Sequence, residues 1–191
     1  MTKTRKIVAG AMMVALATAL SYIRFKWLPW GGSITLLSML PIVIYSIKYG
    51  VKWGLGASFV FALAQLGQAV QEGLFSWGLS VSMLIACIFF DYVIAYSLIG
   101  LSGLFRKYGF KGWIAGTIFA LLARFLCHFL SGIVIWETAG KLWDGFSTDN
   151  SYLYSLVYNG SFMLPEILLT TVASVIILKL PQMKKLMQES A

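Results

Sequence analysis

Between Gly112 and Trp136 the chain runs for 25 residues with only two basic side chains, Arg124 and His128, and no acid. A run of that length and polarity spans a bilayer core as a helix, because only an internally hydrogen-bonded backbone survives in hydrocarbon. Five more apolar runs accompany it, so the chain reads as approximately 7–25, 34–47, 53–70, 78–105, 112–136 and 155–180. The second is short and contains Pro41, which predicts a kinked, tilted or partly re-entrant segment. Composition agrees: 59% of the 191 residues are hydrophobic and 12% charged, and the mean hydropathy is +0.82. A soluble domain of this size has too little interior to hide that much apolar surface. The expected fold is an all-α integral membrane protein, a single compact bundle of six transmembrane helices covering 1–191.

The formal charge of +8 does not point to nucleic acid, because the cations sit in short segments between apolar runs. With the N-terminus inside, Lys3, Arg5, Lys6, Lys48, Lys52, Arg106, Lys107, Lys111, Lys179, Lys184 and Lys185 share the cytoplasmic side. Arg24, Lys26 and Lys141 face out, and Arg124 lies within a span. The bias predicts both termini in the cytoplasm of a multi-pass cell-membrane protein. The basic, Ala-rich N-terminus imitates a signal peptide but is read as an uncleaved first helix. Cys87 and Cys127 lie inside apolar runs without metal-type spacing and are expected as buried small hydrophobes. No metal or cofactor is expected.

Away from the ends of the spans, four charged or titratable residues stand out: Asp91, Arg124, His128 and Glu166. Such groups are expensive in lipid, and they face a protein interior or a watery cavity. Arg124, His128, Gly132 and Trp136 recur every four residues and so share one helix face. Under the assigned topology Asp91, His128 and Asn159 converge on a cavity in the outer half of the bilayer, where transporters place their sites. A buried carboxylate favours a cation, and aromatic faces add up to about 2 kcal/mol of cation–π attraction when desolvated. His128 and Asn159 offer donors and acceptors for a heteroaromatic ring. Gly132 leaves room for a flat ligand at the helix backbone. A flat, polar, positively charged organic molecule fits this set. Arg124 has three options here: a pair with Asp91, a pair with Glu166, or neither. On the first helix, Ala11, Ala15 and Ala19 form a small-residue stripe that serves either internal packing or a docking subunit.

These residues carry a resemblance. The segments His128-Phe-Leu-Ser-Gly132-Ile-Val-Ile-Trp136 and Tyr154-Ser-Leu-Val-Tyr-Asn159-Gly, together with the Ala stripe and the six-span layout, resemble the thiamin-specific substrate-binding subunit (S component) of energy-coupling factor transporters. The resemblance covers nearly the whole chain. It implies thiamin-contacting roles for His128, Gly132, Trp136, Tyr154 and Asn159. It sets Asp91 against the thiazolium cation, where the family pattern includes glutamate, with Tyr92 following. It also implies a covering tryptophan from the first outer loop, Trp30 in preference to Trp27. Its partners would be a transmembrane coupling protein, met through Ala11, Ala15 and Ala19, and two ATPases. This chain contains no Walker A pattern, so ATP use would belong to those partners. An intramembrane enzyme built on Asp91, His128 and Glu166 is disfavoured by the single histidine and the absence of HExxH or GxSxG. An autonomous proton-coupled importer, or an S component for a related vitamin or precursor, stands as the alternative.

Overall fold

The computed structural model describes residues 2–26, 28, 31–136 and 140–188. Helix α1 (Lys3–Tyr22) starts at Thr2, whose side chain accepts from the Arg5 amide. It buries only Gly10, Ala17 and Ser21. Gly10 is needed because a Cβ there would meet the Tyr45 hydroxyl, which itself donates to the Lys6 carbonyl at 2.8 Å. Ala11, Ala15 and Ala19 lie on the outward face of α1, so the stripe does not pack within the bundle.

The chain is mostly helical, as expected, and the described residues add two small antiparallel hairpins that the sequence reading did not include. β1 (Arg24–Lys26) pairs with β2 (Ser33–Thr35), and β3 (Gly140–Trp143) pairs with β4 (Phe146–Thr148). The first hairpin takes the start of the segment read from sequence as a span at 34–47. Its helix, α2, occupies only Leu40–Tyr49, with Pro41 in the first turn where a missing amide is tolerated. Ten residues rise about 15 Å, half the thickness of a bilayer core.

Among the described residues four stretches are long and apolar enough to cross a membrane: α1, α3 (Val51–Gln71), the 54 residues Val81–Val134, and α7 (Ser151–Lys179). The third doubles back on itself. Its first limb comprises α4 (Val81–Cys87), a π-helical segment at Ile88–Ile94, the short α5 (Ala95–Ser97) and a 3₁₀ stretch at Leu98–Gly103. After a turn through Arg106–Tyr108 the return limb is α6 (Gly109–Val134). The limbs touch backbone to backbone, since a Cβ on Gly116 would strike the Ser102 carbonyl. The same logic joins α2 to the first limb. Ser46 Oγ donates to the Gly100 carbonyl at 2.5 Å and accepts from the Gly103 amide at 3.0 Å. Glycine and serine at the contacts let helices approach where lipid supplies no hydrophobic drive.

Long apolar side chains instead point outward, as Met12, Phe59, Leu126 and Leu168 do. The central core gathers Met39, Ile42, Phe61, Ile99, Leu121 and Leu178. The short helix α8 (Pro181–Gln188) folds under it, tucking Met187 into the same cluster. Pro165 interrupts α7 by removing the amide that would bond the Ser161 carbonyl.

Candidate functional site

Beneath the β1–β2 hairpin lies a cavity of about 110 Å³, counted as space open to the centre of a water molecule. It is walled by α3, the π-helical limb, α6 and α7. Asp91, Tyr92, His128, Gly132, Trp136, Tyr154 and Asn159 all line it, so seven of the eight residues expected to contact a ligand share one space. The eighth, Trp30, lies outside the described residues, as does its alternative Trp27.

Asp91 organises the site. It sits in the π-helical segment, whose wider turn re-aims a side chain and recurs at functional positions. Three donors from one side hold its carboxylate. His128 Nδ1 lies 3.0 Å from Oδ1, Ser131 Oγ donates to Oδ2 at 2.6 Å, and Trp136 Nε1 donates to Oδ2 at 3.2 Å. His128 and Ser131 lie on one face of α6, and Trp136 lies just past its end. With Nδ1–H given to the carboxylate, a neutral His128 keeps its lone pair on Nε2. That nitrogen is buried without a partner among the described residues.

Asn159 lies two turns into α7 rather than at its start. Its Nδ2 donates to the carbonyls of His128 at 3.2 Å and Ser155 at 3.0 Å, and to Ser155 Oγ at 3.1 Å. The amide group is therefore fixed, and Oδ1 is the end available to a ligand. Gly132 has a different reason from the one its position in the motif suggested. A Cβ there would collide with the Ser155 side chain, so the glycine first serves the approach of α6 to α7.

Arg124 pairs with neither carboxylate. No acid lies within 4.0 Å of it among the described residues. Its guanidinium stacks 4.0 Å from the Tyr96 ring centroid, and Nη1 reaches Met39 Sδ at 2.7 Å. Glu166 is held instead by Thr35 of β2, whose amide and hydroxyl donate to Oε1 at 2.5 and 2.7 Å. Its Oε2 is buried with no partner among the described residues. The hairpin is tied down again where the Gly32 amide donates to Tyr158 at 3.2 Å. At the mouth, Arg24 and Lys26 both pair with Glu72, the latter at 2.8 Å.

Aromatic rings form much of the wall. Tyr92 and Tyr96 are parallel, with centroids 6.5 Å apart, and Tyr154 and Tyr158 are parallel at 6.4 Å. Trp77 and Trp136 meet at 5.8 Å. The charged lining comprises Arg24, Arg124, Glu72, Asp91 and Glu166, two cations against three acids, for a formal net charge of −1. Such a cavity prefers a flat cation. Among the described residues no group of three or more His, Cys, Asp or Glu could hold a metal ion. Cys87 and Cys127 are buried and unpaired with each other.

Several residues in or beside the cavity escaped the sequence reading. Ser131 is three residues from His128, a spacing that puts it on the same face and was legible. Tyr158 lines the cavity four residues from Tyr154. Gln65 is an amide in an apolar span, a weaker form of the signal that singled out Asp91. The contributions of Arg24, Thr35 and Glu72 had no local signal, because only the hairpin brings them to the cavity.

The profile of the thiamine transporter protein family (Thia_YuaJ) matches residues 7–186. The chain belongs to this family. It is 27% identical over 181 residues to the thiamine transporter ThiT of Bacillus subtilis (strain 168), covering 87% of this chain and 86% of that protein. It is 28% identical over 198 residues to the thiamine transporter ThiT of Lacticaseibacillus paracasei (strain ATCC 334), covering 93% and 89%. A solved structure of ThiT from Listeria monocytogenes superposes with a TM-score of 0.72 at 24% identity, over 97% of this chain and 98% of that one. At that identity the match speaks for the fold alone. This Thia_YuaJ family member is a multi-pass protein of the bacterial cell membrane, and its relatives are named as transporters.

Proposed function

We propose that this protein is the thiamin-binding S component of an energy-coupling factor importer, capturing vitamin B1 from outside and performing no chemistry on it. The observation that carries the reading is the Asp91 carboxylate, held by His128, Ser131 and Trp136 in an aromatic cavity of formal charge −1. A thiazolium ring is a flat, permanently charged cation that suits this place. The aminopyrimidine ring carries donors and acceptors for His128 Nε2 and Asn159 Oδ1, with Tyr154 and Trp136 as aromatic walls and Tyr92 beside Asp91. Binding is tight because the charge contact and the cation–π contacts are made out of water.

The bundle is read as six spans with both termini cytoplasmic, α2 being completed by the hairpin at the outer surface. That orientation puts the cavity mouth outside and eleven cations inside. A transmembrane coupling protein with two ATPases would dock on the Ala11, Ala15 and Ala19 face, which α1 turns away from its own bundle. Tryptophan-fluorescence titration of the purified protein tests the ligand: thiamin should quench and saturate, with Trp136 in the cavity wall. No response to thiamin, its phosphates or its pyrimidine would defeat the assignment. The competing reading is an autonomous proton-coupled thiamin importer, favoured by the unpartnered buried oxygen of Glu166. Robust uptake into vesicles holding this chain alone under a proton gradient would establish it instead. An S component for a related vitamin or precursor would show as tighter binding of that compound than of thiamin.

A further inference from the structure

Far from the cavity, at the end of the bundle where α1 begins and α7 ends, cations gather, and the neighbouring described segments bring no acid to them. Residues 2–22, 40–55, 98–120 and 167–188 contain no Asp or Glu. The four described ion pairs all lie elsewhere, on Glu72, Asp91 and Asp144. Two of these cations flank one feature, the α2–α3 turn at Gly50. Lys6 Nζ lies 5.5 Å from the Trp53 ring centroid and 6.0 Å from that of Tyr49. On the other side Arg106 Nη1 donates to the Lys48 carbonyl at 2.9 Å, which lays the guanidinium across the turn. Lys52 stands exposed on the first turn of α3.

We propose that this corner, Lys6, Lys52 and Arg106 around Trp53, is a binding site for the phosphate of an anionic phospholipid. Charge complementarity asks for an anion, and Arg106 offers a planar fork suited to phosphate. The surroundings ask for a lipid rather than a soluble anion. Trp53 and Tyr49 are ring types that settle at the headgroup level, and within two turns of Lys52 α3 presents exposed Leu55 and Phe59 for acyl chains. The face is separate from the Ala11, Ala15 and Ala19 stripe, because Lys6 leans toward α2 and α3.

Native mass spectrometry of the detergent-purified protein, offered equal phosphatidylglycerol and phosphatidylcholine, tests the assignment. The wild type should retain phosphatidylglycerol selectively. K6Q/R106Q should lose about 10- to 30-fold in that retention, at roughly fivefold per cation near a charged headgroup. K184Q/K185Q, on exposed α8 positions, should change it less than about threefold. Melting temperature and gel-filtration profile report folding, and if the double variant misfolds, R106Q alone is read on the same scale. Equal retention of both lipids, or equal losses in the two double variants, would overturn the site in favour of a general positive end. Displacement of the lipid by millimolar glycerol phosphate would identify a site for free phosphate instead. Full lipid retention by K6Q/R106Q with failed assembly on an energising module would make the patch a protein contact, which also overturns the proposal.

Discussion

Replacing Asp91 by asparagine should separate charge from shape in the cavity. The carboxylate has no ion pair with Arg124, and the three groups that hold it, His128, Ser131 and Trp136, are neutral donors. A ligand cation about 5 Å away, at an effective dielectric of about 20, gains roughly 3 kcal/mol from it. Arg124 lines the same cavity in both proteins and so cancels from the difference, while polarisation of the three donors screens part of the gain. The expected loss for D91N is therefore about 2–3 kcal/mol, or roughly 30- to 150-fold in Kd. The hydrogen bonds can survive. Trp136 Nε1 can only donate, so the asparagine oxygen must take the Oδ2 position, where Ser131 also donates. The new NH₂ then faces His128 Nδ1, and the imidazole answers by moving its proton to Nε2. Isothermal titration of wild type and D91N with thiamin and with deazathiamin, its uncharged analogue, reads both effects. Thiamin should lose the full factor and deazathiamin less than about fivefold, because for it only the tautomer changes. Equal losses for the two ligands would refute the electrostatic argument and make Asp91 a structural anchor. A shift of the histidine Nε2 signal to a protonated form in ¹⁵N spectra of D91N would check the tautomer step.

Other perturbations follow from the same geometry. G132A should drive a methyl group into Ser155 and lower stability by about 1–3 kcal/mol, read as a fall in melting temperature. G132A/S155G should recover most of it, and no recovery would mean that Gly132 serves the ligand rather than the α6–α7 contact. E72Q removes the partner of both Arg24 and Lys26 at the cavity mouth; partly exposed pairs of this kind contribute about 1 kcal/mol or less each. Ligand dissociation by stopped-flow fluorescence should then quicken a few-fold with little change in melting temperature. A15W should leave thiamin affinity within about twofold yet abolish uptake by the assembled transporter, since Ala15 faces outward; loss of binding would mean that the stripe supports the bundle.

Much of the site was legible in one dimension because lipid makes polar residues conspicuous. Asp91, His128 and Asn159 stood out in apolar runs, and helical spacing placed His128, Gly132 and Trp136 together. The same rule marked apolar runs that the fold builds mostly as long helices. It left the form of the segment after Ser33 open, because a strand that bonds a neighbouring strand and a helix that follows a proline are equally apolar over a few residues. It also left the partner of Arg124 open. Charge alone proposed a carboxylate, whereas the packed chain offers the Tyr96 ring and a methionine sulfur.

The amino-acid sequence by itself determined that this chain lives in a membrane, where its apolar runs lie, and which few polar residues had to find shelter there. Those conclusions rest on transfer free energies, which depend on composition and local order. Only the tertiary structure decided that Asp91 is gripped from α6 rather than from Arg124. Only the structure brought Arg24, Thr35 and Glu72 together around the cavity mouth, and showed that Gly132 yields its side-chain space to Ser155. Each of these depends on the rotation and register of one helix against another. That placement is set by contacts between residues far apart in the chain, 40 positions for Ser131 and Asp91 and 131 for Thr35 and Glu166.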